Sequence, residues 1–265
     1  MSRLFTTPKG WLIGTGQVFA FGARMFDGVY RGRVLQFFGE ALRQAGILIS
    51  GSVLIIFGLV FVLGLQCGIE GAYGTQAVGA PSVAGAFTAL CDLREVTPYA
   101  FGYMMAAKVG TGFVAELGSM RISDEIDALE VMGFDSLAYL CCTRLLGMWM
   151  VIPFVFVASI GVGYVGSYIA VVQQLAHVSA GGYLSIFWQF QSPLDLLYSG
   201  LKAVTMATFI VVVACYFGYN AGGGPVGVGT ATAKSMAVNI VGIHFIGLLG
   251  SEVFWGGNAR APIGG

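Results

Sequence analysis

The sequence predicts an all-α integral membrane protein: an N-terminal helix lying in the membrane interface, then five transmembrane helices, with a short acidic helix in one cytoplasmic loop. Composition is the first observation behind this. The 265 residues are 57% hydrophobic and only 10% charged, with a mean hydropathy of +0.82, whereas soluble domains carry about 25% charged residues. Charge-free runs are the second. No charge falls between Arg43 and Glu70, between Arg144 and Asp195, between Lys202 and Lys234, or between Lys234 and Glu252, and a helix crosses the bilayer with about 20 apolar residues. Periodicity is the third. It is helical or uniformly apolar, not the alternating strands of roughly ten residues that build an outer-membrane barrel. Thirteen basic and thirteen acidic residues leave no net charge, so neither a nucleic-acid partner nor an acidic disordered tail is indicated.

The elements follow in chain order. Ser2 to Gln44 mixes Trp11, Phe19, Phe21, Phe26, Tyr30 and Phe37 with Arg24, Arg31, Arg33 and Arg43. Aromatics with arginine suit one or two helices lying in the interface. The first ten residues lack the compact apolar core of a cleavable signal peptide. Residues 1–44 are thus read as the cytoplasmic N-terminus with its interfacial helix, 45–257 as the membrane domain, and 258–265 as an extracytoplasmic tail. Within the membrane domain the predicted spans are Gly46–Leu65, Pro98–Met120, Leu145–Ile169, Leu194–Phe217 and Ser235–Phe254. Gly71–Cys91 is uncharged but rich in Gly and Ala, with Pro81 in its middle, and is read as lying outside or as a partial helix in the outer half. Val171–Pro193 reads as an external loop with a short surface helix. Ala221–Gly229 holds many glycines but lacks the pattern GxxxxGK[ST] and any preceding strand, so it is read as a flexible cytoplasmic turn, not a phosphate loop.

Charge sets the orientation, because cytoplasmic loops are enriched in Lys and Arg. With the N-terminus inside, Arg3, Lys9, Arg24, Arg31, Arg33, Arg43, Arg121, Arg144 and Lys234 lie on the cytoplasmic side and only Arg94 and Arg260 outside. Lys108 and Lys202 fall within the membrane. Counting Gly71–Cys91 as a span would move Arg121 and Arg144 outside and weaken the bias.

The richest stretch is Arg121–Gly133, which holds Arg121, Asp124, Glu125, Asp127 and Glu130 in a charge-poor chain. Ser123 can cap a helix whose positive end then meets Asp124 and Glu125. Ile122, Ile126 and Leu129 recur on one face, and Gly133 can end the helix. A merely solvated loop helix needs no such ordered apolar face, so a docking helix for a soluble partner is favoured. Inside the membrane, Glu95, Lys108, Glu116, Lys202 and His244 are costly, and such residues usually face a cavity or pair with one another. Lys108 is two helical turns from Glu116 and a candidate to pair with it, or to snorkel, as is Lys202. Cys67, Cys91, Cys141, Cys142 and Cys215 lack CxxC spacing and read as small membrane-core residues, not metal or redox groups. No catalytic or metal-ligand motif occurs, so any ATP and magnesium are used by another chain and no cofactor is expected on this one.

Ala115–Gly133 (AELGSMRISDEIDALEVMG) resembles the signature of the MlaE/YrbE permease family. Cys215–Met236 (CYFGYNAGGGPVGVGTATAKSM) resembles its second signature, and Leu93–Pro98 (LREVTP) a third. The resemblance runs from the first span to the last and is nearest to the actinobacterial YrbE B-type subunit. It implies a permease, not an enzyme, of an ATP-driven Mce-type lipid importer in the plasma membrane. It also implies partners: a second YrbE-like permease of A type, an MlaF/MceG-like ATPase dimer, MCE-domain proteins on the outer face, and membrane lipids of sterol or fatty-acid-like kind. Residue by residue, Glu95 matches the family's intramembrane Glu, Lys202 its Lys in the fourth span, and Arg121, Glu125 and Asp127 its coupling-helix positions. His244 departs, standing where relatives often have Asp, and Thr143 stands where Pro often precedes Arg144. A passive channel or scaffold, or a membrane-embedded lipid enzyme using Glu95, Glu116 or His244, are the competing readings.

Overall fold

The computed structural model describes residues 8–176 and 178–258, with side chains from Leu12 onward. Arg3, Arg260 and the tail beyond Asn258 lie outside the described residues, as does the side chain of Lys9. The described chain is helical throughout: α1 (Pro8–Tyr30), α2 (Phe38–Ala77), α3 (Ala84–Leu90), α4 (Thr97–Met104), α5 (Thr111–Ile122), α6 (Glu125–Val131), α7 (Thr143–Tyr168), α8 (Ala180–Gln189), α9 (Pro193–Tyr219) and α10 (Gly224–Trp255). Helices are what lipid permits, since each backbone N–H and C=O must find its partner within its own segment.

Two compact units form. The first takes the described part of Met1–Ser50 with Met105–Val151 and Ala207–Val241; the second takes Gly51–Met104, Ile152–Met206 and the described part of Gly242–Gly265. In the first, α1 buries Phe21 and Met25 while Leu12, Phe19 and Tyr30 point outward, the two-faced pattern of an interfacial helix. In the second, α3 packs on α8, and Tyr183 and Phe187 of α8 are buried in a cluster with Ala72, Ala84, Ala86 and Ala89. The segment Val171–Pro193 does hold a short surface helix, as expected, and that helix buries Tyr183 and Phe187 on one face while Leu184 and Trp188 stay exposed on the other.

Four helical stretches are long and apolar enough to cross a membrane: Arg33–Ala77, Ala138–Gln174, Pro193–Tyr219 and Gly224–Trp255. Their outward faces carry Leu54, Val62, Phe154, Phe245, Leu248 and Val253, all more than half exposed, which suits lipid and not water. The predicted span Pro98–Met120 lies in helical backbone running from Ala84 to Ile122. It is absent from those four; Lys108, Glu116 and two tyrosines dilute its apolar character.

Three boundaries differ from the sequence reading. Gly71–Cys91, read as outside or as a partial helix in the outer half, is not one continuous helix. It is the end of α2, a turn, and the whole of α3, with Gly79 at φ +74° and Ala80 N donating back to Thr75 O at 2.9 Å. Ala221–Gly229 is not a flexible turn, because α10 already begins at Gly224. Only Asn220–Gly223 remain outside helix, and Gly223 and Gly224 take φ of +86° and +71°, which L side chains rarely adopt. The helices also overrun the predicted spans at their ends, because ending a helix in lipid leaves backbone groups unsatisfied.

Small residues set the closest approaches. A Cβ on Gly64 would stand 2.3 Å from Gly163 O, and one on Gly166 would stand 2.5 Å from Phe61 O. This is the backbone-to-backbone packing that joins helices where the hydrophobic effect cannot.

Candidate functional site

Two constellations carry most of the polar chemistry. The first lies in the second unit and begins with a backbone irregularity. Cys91–Val96 forms a π-helical turn, a rare conformation that recurs at functional sites. It holds Asp92, Arg94 and Glu95 in one stretch. From α9, Lys202 Nζ donates to Glu95 Oε2 at 2.8 Å, to Arg94 O at 2.9 Å and to Ser251 Oγ of α10 at 2.7 Å. Ser251 Oγ donates in turn to Glu95 Oε1 at 2.5 Å. All three ammonium protons are thereby used. The Tyr99 and Trp255 rings lie 5.0 and 5.8 Å from Nζ, adding cation–π attraction. Lys202 is 0% exposed but Glu95 is 44% exposed. The pair therefore has a sealed cationic end and an open anionic one. Lys202 does not snorkel.

A second pair braces the first. Arg94 Nη2 meets Asp195 Oδ2 at 2.7 Å, and Trp255 Nε1 donates to Asp195 Oδ1 at 2.8 Å. Arg94, expected from sequence on the outer side, is buried in this helical turn. His244 lies beside the cluster. Its Nε2 is 2.9 Å from Tyr103 OH, and its ring sits 5.7 Å from the Tyr99 ring.

Asp92 is fully buried and accepts from Ser167 Oγ, while its Oδ1 has no hydrogen-bond partner among the described residues. Beside it, Cys67 and Cys91 form a disulfide with Cα atoms 6.6 Å apart. The reading of all five cysteines as inert core residues is corrected for these two: the turn after α2 folds Cys91 back onto Cys67, a pairing that sequence spacing cannot reveal. Ligand-type atoms of Cys67, Cys91 and Asp92 lie within 4.8 Å of one another, but the disulfide takes both sulfurs. Cys141, Cys142 and Cys215 are free and buried.

The second constellation is the acidic helix of the first unit. Ile126 is fully buried, and Ile122 and Leu129 are partly so. Gly133 at φ +84° ends the helix, with Phe134 N donating to Leu129 O at 3.1 Å and Gly133 N to Glu130 O at 3.0 Å. Ser123 is not its N-cap. Its Oγ donates to Ser119 O at 2.9 Å, closing α5, and Asp124 takes the cap position at φ +58° without a side-chain cap bond. Two helices meet across two residues here, so the hydroxyl serves the helix before it. Arg121 Nη1 pairs with Asp127 Oδ1 at 2.5 Å. Glu125 and Asp127 are exposed, and Val131 and Met132 beside them are 88% and 63% exposed.

Glu130 differs from its neighbours. Its Oε1 accepts from Ser136 Oγ at 2.7 Å and from Tyr219 OH at 2.9 Å, and the two hydroxyl oxygens are 2.7 Å apart. These hydrogen bonds, from Ser136 first, hold its carboxyl below the ordinary value of 4.5. Glu116 does not pair with Lys108. It meets Arg144 Nη2 at 2.8 Å, with Arg144 only 2% exposed and over the Phe113 ring at 5.2 Å. Lys108 is exposed and makes no ion pair among the described residues. Residues eight apart on an α-helix stand about 80° apart around its axis, and Lys108 itself sits in the π-helical turn Met105–Gly110, which shifts the register further. Of the predicted intramembrane residues, the structure joins Glu95 and Lys202, sets His244 near them, and leaves Lys108 and Glu116 elsewhere. Ser251, Asp195, Ser136 and Tyr219 were missed, because single Ser, Asp and Tyr residues at span ends carry no signal until the fold brings them together.

Comparison with known proteins gives one family and a consistent set of relatives. The family profile described as Permease MlaE matches residues 41–253. A probable ABC transporter permease protein of Rickettsia bellii is 28% identical over 77% of this chain and 78% of its own length. The intermembrane phospholipid transport system permease protein MlaE of Haemophilus influenzae is 24% identical over 81% of this chain and 83% of its own. The chloroplast protein TRIGALACTOSYLDIACYLGLYCEROL 1 of Arabidopsis thaliana is 28% identical over 65% of this chain and 49% of its own.

Proposed function

The chain belongs to the MlaE permease family, and from that premise we propose that it is the membrane subunit of an ATP-driven, Mce-type lipid importer in the plasma membrane. It performs no chemistry of its own. The observation that carries the reading is α6. The helix is anchored by buried Ile126 and the Arg121–Asp127 pair, and it presents Glu125, Asp127, Val131 and Met132 outward. Carboxylates beside exposed apolar side chains suit a basic, apolar-floored groove on a soluble partner. In this reading the partner is an ATPase dimer that binds ATP and magnesium, and its closure pushes on α6.

Lipid passes between this chain and a second permease of the same family, and MCE-domain proteins stand on the outer face. The Glu95–Lys202–Ser251 cluster borders that path. The sealed Lys202 fixes Glu95 in place while its open carboxylate edge meets passing polar groups. The relatives' names speak of phospholipid transport in Haemophilus; for this chain the proposed cargo is a sterol or fatty-acid-like lipid. The disulfide supports the orientation. Disulfides persist in oxidising compartments, and the Cys67–Cys91 pair supports the reading that the turn after α2 lies outside.

The test is charge reversal on α6. Glu125→Lys with Asp127→Lys should abolish co-purification of the ATPase while the permease still inserts. Undiminished co-purification would remove α6 from the docking role and return weight to a channel or scaffold.

A further inference from the structure

Glu130 shares the acidic helix with Glu125 and Asp127 but is turned to a different task. Its carboxylate is committed within the chain, to Ser136 in the segment after α6 and to Tyr219, the last residue of α9. The three oxygens lie within 2.9 Å of one another and share two hydroxyl protons. Hydrogen bonds to an ionised acceptor are shorter and about twice as strong as neutral ones, so this is a firm three-point junction between α6, the loop behind it and α9.

Tyr219 is itself held on its other side. Its ring lies 5.9 Å from the Phe21 ring of α1. One turn earlier, Tyr216 donates to Gln17 Oε1 of α1 at 2.9 Å and its ring stands 5.7 Å from Phe21. The loop end is pinned too: Asp135, next to Ser136, takes Arg33 Nη1 at 3.2 Å and caps Ala138 N at 3.0 Å. Displacing α6 therefore cannot leave α9 where it is without breaking the charge-assisted junction. α9 is the most buried of the candidate spans, with 67% of its most apolar window inside the protein, and it carries Lys202. A helix is stiff along its axis because every turn is hydrogen-bonded to the next, so a pull at Tyr219 is felt along α9.

We infer that Ser136 and Tyr219 are positioning residues that, through Glu130, deliver the movement of α6 to α9 and so to the Glu95–Lys202 cluster. This rests on α6 being the ATPase-docking helix. Glu130, though exposed, then serves transmission through its bonds to Ser136 and Tyr219.

The experiment uses the complex purified from its own membranes, with Tyr219→Phe, Ser136→Ala, Glu130→Ala and Glu130→Gln variants. Hydrogen–deuterium exchange is followed before and after trapping with ADP and vanadate. In the wild type, trapping should change exchange in peptides covering α6 and covering 193–206. In Tyr219→Phe and Glu130→Ala, the change at α6 should persist while the change at 193–206 falls by roughly tenfold, the loss expected for one charge-assisted hydrogen bond. Glu130→Gln, which keeps an acceptor oxygen, should recover part of it. A purely structural junction would instead loosen α6 at rest and leave transmission intact, and that result overturns the inference. So does an equal response at 193–206 in wild type and Tyr219→Phe. A wild-type complex without ATPase, or with no response at α6, overturns the docking reading and this inference with it, and is told apart by the silent α6.

Discussion

Lys202 shows how much one residue can ask of its surroundings. A buried ammonium without partners is strongly disfavoured, and here the chain supplies a carboxylate, a carbonyl, a hydroxyl and two aromatic faces. Glu95 and Lys202 could be singled out in the sequence because each is a charge in apolar surroundings. Their pairing could not, since 107 residues separate them, and neither could Ser251. Lys202→Ala should impair transport without dissociating the complex. It should cost roughly 1–3 kcal/mol of stability, less than the 3–5 of a fully buried pair, because Glu95 keeps water on one side. Lys202→Met with Glu95→Gln should be milder than Lys202→Ala alone in thermal unfolding in detergent; equal or additive losses would mean the two residues are not coupled. The cysteines need a separate check at this scale. Denatured, unreduced protein should take up alkylating reagent at the free Cys141, Cys142 and Cys215 alone, and at Cys67 and Cys91 only after reduction. Labelling of all five without reductant would remove the disulfide and its support for the orientation.

At the scale of elements, four of the five predicted spans match helices long and apolar enough to cross a membrane and were legible from charge-free length, while Pro98–Met120 was not; the end of α6 was legible from Gly133. The start of α6 was not. Ser123 was eligible to cap either neighbour, and only the short α5–α6 junction decides for α5. The glycines of Ala221–Gly229 misled because glycine loosens a helix in water but is common inside membrane helices, and elsewhere in this chain it lets helices approach. The α2–α7 contact tests that second role. Gly64→Ala should destabilise by about 1–3 kcal/mol, the usual cost of overpacking, because its Cβ would meet backbone at 2.3 Å. Gly58→Ala on the same helix has nothing within 4 Å and should be neutral or slightly stabilising, as alanine favours helix. Thermal unfolding of the two variants side by side reads the difference. Equal effects would deny the close approach.

For the whole molecule, the membrane class follows from composition, and the Ala115–Gly133 and Cys215–Met236 signatures, with the shorter LRE stretch, carried the family. What composition leaves open is which helices are wrapped by protein. α9 has 67% of its most apolar window buried, against 22% for α2 and 17% for α10. Helices so exposed are ones that lipid or a partner must cover. In the proposed assembly those partners are a second permease, an ATPase and MCE-domain proteins. The most direct measurement is a mild-detergent pull-down of this chain from its native membrane, with mass spectrometry of the eluate and an ATPase assay on it. The account predicts an ATP-hydrolysing subunit together with a second permease of the family and MCE-domain proteins. A chain that elutes alone or only with itself, with no ATPase activity, would contradict it.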